Sequence, residues 1–154
     1  MFGRHARLGP GVQSPPRDLP PVLADIYRYS NGVLFGVDKV GGENFRRDGQ
    51  GFSYRLVPIE ELRSAYDDGF CDRKTSIAEL VRNWLVVIEV GDGDCMAVNL
   101  NRAGYGEIID VFHETAGDVG RNGVVADTLE DWIECSLASD RSWWLEEGAH
   151  RRYY

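Results

Sequence analysis

The stretch LVVIEVGDGDCMAVNLNRAGYGEIIDVF, residues 85–112, constrains the fold of this chain more than any other. Its three apolar runs, LVVIEV, CMAVNL and EIIDVF, are rich in strand-forming residues and separated by glycine-containing turns, so they predict a three-stranded antiparallel meander. Asp-Gly is a strong hairpin signal, because a type I′ turn needs positive φ at both central residues and glycine adopts it freely. With Asp92 and Gly93 in those places, Gly91 faces Asp94, Val90 pairs with Cys95 and Glu89 with Met96. Leu85, Val87, Val98 and Leu100 then share one face, and Val86, Ile88, Ala97 and Asn99 the other. Both faces are largely apolar, which makes this an interior hairpin.

The aspartates of the turn also raise a calcium alternative. A calcium loop needs a longer series of oxygen ligands, a glycine for the bend and a bidentate glutamate at its end. DGDCMAVNLN puts cysteine, methionine and alanine where those ligands belong, so the turn reading is preferred and no metal is expected. Asp92 and Asp94 remain as a charged knob at a sheet edge.

Around the meander, residues 1–17 combine glycine, arginine and proline without apolar period and read as a flexible arm. Order is expected from Asp18, a candidate N-cap for an amphipathic helix carrying Leu23, Ile26 and Tyr27 and stopped by Asn31-Gly32. VLFGV and FSYRLV read as strands. PIEELRSAY is predicted helical from the spacing of Ile59, Leu62 and Tyr66, with Glu60, Glu61 and Arg63 in water. TSIAELVRNW reads as a short helix capped by Ser76. VVADTLEDWIECSL predicts a strand and then a helix, with Asp127 and Glu130 as its capping box and Leu129, Trp132, Ile133 and Leu137 as its buried stripe. The tryptophans of DRSWWLEEG are expected to cover the core edge, before an exposed tail at 148–154. Helices and strands are segregated instead of alternating as βαβ units. The expected fold is therefore α+β: a single domain over residues 18–147, an antiparallel-rich β-sheet with a central meander and helices packed against it.

Charge and chemistry narrow the function. Twenty-five acidic against 17 basic side chains leave −8, which repels phosphate backbones and argues against nucleic acid as a direct ligand. A basic protein suits such a surface. No apolar run is long enough to span a bilayer and no export signal is legible, so no membrane partner and a cytoplasmic location are expected. Cys71, Cys95 and Cys135 form no CxxC pair and are expected as reduced thiols. His113 in DVFHET lacks the second histidine of an HExxH motif, and neither GVDKVGGENF nor AGDVGRNG has phosphate-loop spacing. No catalytic residue and no cofactor is assigned. Candidate partner-binding groups are Asp92, Asp94, Glu60, Glu61, Asp67 and Asp68.

In order, LPPVLADIYRYSNG, YRLVPIEEL, NWLVVIEVGDGDCMAVNLN, GEIIDVFHE and ADTLEDWIECSL resemble the SUKH superfamily, which includes fungal cell-wall assembly regulators and many bacterial proteins. Leu19, Pro20, Asn31, Gly32, Pro58, Leu62, Gly91, Asp92, Gly93, Asp94, Trp132 and Ile133 carry the likeness, over roughly residues 19 to 138. The chain departs from the pattern in its glycine and proline arm, where family members carry an acidic amphipathic helix, and in Asn99, where an aspartate is common. The resemblance implies a non-catalytic binding protein, a bacterial immunity protein that neutralises a cognate toxin, often a nuclease, by masking a basic surface. A housekeeping interaction module like the fungal regulators is the alternative it leaves open.

Overall fold

The computed structural model describes residues 5–8, 11, 18–37, 54–71, 76–90, 93–112, 122–138 and 151–152. In chain order the elements are β1 (His5–Leu8), α1 (Pro21–Tyr29), β2 (Val33–Val37), β3 (Tyr54–Leu56), a 3₁₀ turn (Ile59–Glu61), β4 (Arg63–Ser64), α2 (Ala78–Arg82), β5 (Trp84–Val90), β6 (Cys95–Asn99), β7 (Ile108–Val111), β8 (Gly123–Ala126), α3 (Leu129–Ala138) and β9 (Arg151–Arg152). The strands form one antiparallel sheet in the order β1-β2-β3-β5-β6-β7-β8-β9, with β4 following β3 along β5. This is the expected α+β domain with its meander, β5-β6-β7, at the centre. Within the stretches read as an arm and a tail, His5–Leu8 lies along β2 and Arg151–Arg152 along β8.

Apolar side chains fill both faces of the sheet. On one, Leu23, Ala24 and Tyr27 of α1 and Leu129 and Trp132 of α3 pack on Leu56, Ile88, Met96, Val98 and Ile108. Tyr54 meets Trp132 edge-to-face, centroids 5.2 Å apart. On the other, Ala78 and Val81 of α2, with Ala65 and Phe70, cover Trp84, Val86, Ala97 and Ile109.

The hairpin register differs from the Asp-Gly expectation by one residue. Glu89 pairs with Cys95 and Ile88 with Met96, while the Val90 N–H bonds the Asp94 carbonyl at 2.8 Å. Gly93, at φ +98°, donates back to the Val90 carbonyl, so the hydrogen bonds that close the hairpin join Val90 to Gly93 and Asp94. The pairing then slips again between Val86 and Ile88. This bulge at Val87 moves Ile88 from the Val86 face to the face under α1 and α3, and Glu89 to the face under α2.

Local signals failed where a neighbour offered a better partner. Helix α1 starts at Pro21 with Pro20, not Asp18, in the N-cap position; a proline there has no N–H to satisfy. It stops at Gly32, φ +93°, whose carbonyl accepts from Ser30 Oγ. The predicted helix after Pro58 is one 3₁₀ turn, its first N–H capped by Asn31 Oδ1 at 2.8 Å, because Arg63 and Ser64 pair with β5 and the Ala65 N–H bonds the Trp84 carbonyl, which returns the chain to the sheet. Helix α2 begins after Ile77, without a Ser76 cap. The α3 box sits one residue later than expected: Thr128 Oγ1 accepts the Asp131 N–H and donates to Asp131 Oδ2. Ser136 replaces Leu137 on its buried stripe, and Leu137 faces water. Trp143, Trp144 and His113 lie outside the described residues.

Candidate functional site

The strongest arrangement of charge follows from β3 and β4 lying end to end against β5. Arg55 pairs with Glu89 across the strands and Arg63 with Val86, so both guanidiniums project beside the Glu89 carboxylate. Arg55 Nη1 meets Glu89 Oε2 at 2.9 Å, and Arg63 Nη2 meets Oε1 at 3.3 Å. Outward, Arg55 Nη2 reaches Glu61 Oε1 at 2.5 Å and Arg63 Nε reaches Asp68 Oδ1 at 2.8 Å. The resulting line, Glu61–Arg55–Glu89–Arg63–Asp68, alternates in sign and is buried towards its middle. Each such half-exposed pair contributes roughly 0.2–1 kcal/mol, so its larger effect is to fix where the outer carboxylates stand.

Exposed acids border the line. Glu60 Oε2 accepts from Asn31 Nδ2 at 2.8 Å, a bond that holds its carboxyl below the usual range and keeps it charged. Asp67 is exposed on a turn held by Asp67 and Asp68 N–H groups on the Ser64 carbonyl. Among the described residues, Glu60, Glu61, Asp67, Asp68 and Glu89 thus place five carboxylates around the guanidiniums of Arg55 and Arg63. Beside it, Arg82 lies over the Tyr66 ring, 4.4 Å from its centroid, and pairs with Glu79.

Of the six acids singled out from sequence, four therefore share one flank. Asp94 does not: it is 6% exposed, inside the hairpin end, beside Asp110 at 4%. Burial, reinforced by the Asp94 charge, pushes the Asp110 carboxyl up to about 8, so it keeps its proton at neutral pH. Asp92 lies outside the described residues. Sequence reasoning missed Arg55, Arg63, Glu89 and Asp110, whose signals exist only once the strand register is known.

Nearby side chains serve structure. The Cys95 thiol, 3.9 Å from Arg63 Nη2, is pushed up to about 11 by burial, against the pull of Arg63, and stays protonated. Asn99 is fully buried: Nδ2 donates to the Ala103 carbonyl at 3.0 Å, and Oδ1 accepts from both nitrogens of Asn101 at 2.9 Å. The hydrogen bonds of Asn99 are therefore internal and do not shape the surface beside the turn. Among the described residues no group of three or more His, Cys, Asp or Glu is arranged to hold a metal ion. No helix among them is long and apolar enough to cross a membrane.

Comparison with curated proteins and with solved structures returns no match. The family model described as SMI1 / KNR4 family (SUKH-1) matches residues 16–135, a span that holds the charged flank, the hairpin and most of α3. With more than half its length inside that match, and with the segment order already noted, the chain belongs to the SMI1 / KNR4 family (SUKH-1).

Proposed function

We propose that this chain is a cytoplasmic immunity protein that captures a cognate toxin without catalysing any reaction, using the acidic flank of β3, β4 and β5. Family membership supports the binding role, and the observation that carries the site is the positioning of Glu60, Glu61, Asp67 and Asp68 around arginines that already have carboxylate partners. Because Arg55 and Arg63 are committed inside the line, they offer little attraction to a negatively charged visitor. A basic surface meets fixed negative charge with little side-chain ordering left to do. Toxins that cut nucleic acid present such surfaces, since they must attract phosphates. The formal charge of −8 adds long-range steering, raising association to as much as about 10⁸ M⁻¹s⁻¹ at low salt.

The test is the pair Glu60→Lys/Asp67→Lys, at two exposed positions, assayed against the products of the genes flanking this one, for rescue of cells expressing any that is toxic and for association rate in stopped flow. We expect association at least tenfold slower, with loss of most of its salt dependence and weaker rescue. Unchanged rate, salt slope and rescue in a normally folded variant would refute the flank as the binding site. No protection by the parent chain would refute the immunity role.

A further inference from the structure

The outer strands of the sheet come from segments unlike the rest of the chain. Residues 1–17 contain three arginines and no acid, and residues 148–154 contain two arginines and no acid. All 25 acidic side chains therefore lie in residues 18–147 with the other 12 of the 17 basic ones, giving that body a formal −13 against −8 for the whole. Part of each basic segment lies along a sheet edge: β1 pairs His5 with Val37 and Leu8 with Val33, and β9 pairs Arg152 with Gly123 and Arg151 with Val124. The same device recurs at opposite edges.

At the β8 edge, two residues of β9 pair among the described residues, whereas β8 is held on its other side by β7, with Val124 and Val125 buried. Removing so short a ladder opens a row of backbone donors and acceptors without disturbing what fixes β8. Such an edge binds any extended chain through its backbone, and the charge of the surroundings decides which chain.

We propose that the outer edge of β8 is a docking site for an extended basic segment of a partner protein, held in cis by Arg151–Arg152 until that segment displaces them. The resident strand shows the chemistry the edge accepts: extended, antiparallel and arginine-bearing, against a body with a large acidic excess. Its tethering also sets a threshold, because a linked strand competes at an effective concentration of order millimolar and lowers the apparent affinity of the incoming one. The site is separate from the acidic flank, since β6 and β7 lie between β5 and β8. Either proposal stands if the other fails.

The test uses the 154-residue chain with Val124→Cys and Arg151→Cys at paired positions, and Cys135→Ser to remove the exposed thiol. Oxidation locks β9 down; reduction releases it. The probes are a fluorescent peptide of residues 149–154, AHRRYY, and its charge reversal AHEEYY, followed by anisotropy and size-exclusion chromatography. We expect AHRRYY to bind the reduced form at least tenfold more tightly than the oxidised form, and AHEEYY to bind neither. Equal binding to both redox forms, no binding of AHRRYY to the reduced form, or a preference for AHEEYY overturns the proposal. Reduced chain that dimerises without taking up peptide assigns the edge to a second copy and overturns it as well. Should the disulfide not form, amide shifts of the unaltered chain titrated with AHRRYY decide: changes centred on Gly123–Ala126 support the site, and changes confined to the β3–β4 flank sink it.

Discussion

Replacing Asp110 by asparagine should make the protein more stable at pH 8 and leave it nearly unchanged at pH 5. Asp110 sits on β7 opposite Met96, 4% exposed, with its carboxyl raised from 3.8 to about 8 by burial and, secondarily, by Asp94. In the unfolded chain this carboxyl is ionised above about pH 4, whereas the folded protein keeps the proton to about pH 8. The folded state therefore binds more protons throughout that window, and stability falls as pH rises by about 1.4 kcal/mol per unit. From pH 5 to pH 8 the accumulated penalty is on the order of 4 kcal/mol, an upper figure because local relaxation and water entry reduce it. Asparagine keeps a donor and an acceptor but does not titrate. Urea unfolding of both proteins at pH 5, 6, 7 and 8, followed by tryptophan fluorescence, measures the effect, and the difference between the two curves cancels every group they share. A stability difference that stays constant from pH 5 to pH 8 would refute the reasoning.

Two further outcomes follow from single side chains. Tyr27→Phe removes the hydroxyl that donates to the Val57 carbonyl at 2.7 Å between α1 and the end of β3, and should cost about 1–3 kcal/mol in urea unfolding; a loss below the error of the measurement would deny that bond its role. Asn99→Asp exchanges the buried donor to Ala103 for a second acceptor, so we expect a loss of about 2 kcal/mol or more at pH 7 and faster amide exchange at Leu100 and Gly106; equal stability would contradict the clamp.

What could be read without coordinates was whatever a short window encodes. The alternation of the meander marks β5, β6 and β7, Pro20-Pro21 and Gly32 bracket α1, and Trp132 with Leu129 marks the inner side of α3. What could not be read depended on distant partners. The segment from Ile59 has a helical apolar spacing, yet Arg63 and Ser64 pair with β5, more than 20 residues later, and limit it to one turn. For the candidate site, the acids at 60, 61, 67 and 68 were visible as exposed charge, but their order came from Arg55 and Arg63 through β5. Asp94 was misjudged because an aspartate after a turn glycine resembles a loop tip, whereas its carbonyl is paired to the Val90 N–H and the residue is buried in the hairpin end.

The extra residue at Val87 sets which side of the sheet the rest of β5 presents. Were the strand to pair regularly through that point at its present length, strict alternation would swing the Glu89 carboxylate beneath α1 and α3 and expel Ile88 from their company, stranding two guanidiniums at once. Removing Val87 outright would instead join Val86 to Ile88 in regular alternation and leave both faces as they are, so losing that residue disturbs the flank less than a one-residue slip of the ladder would.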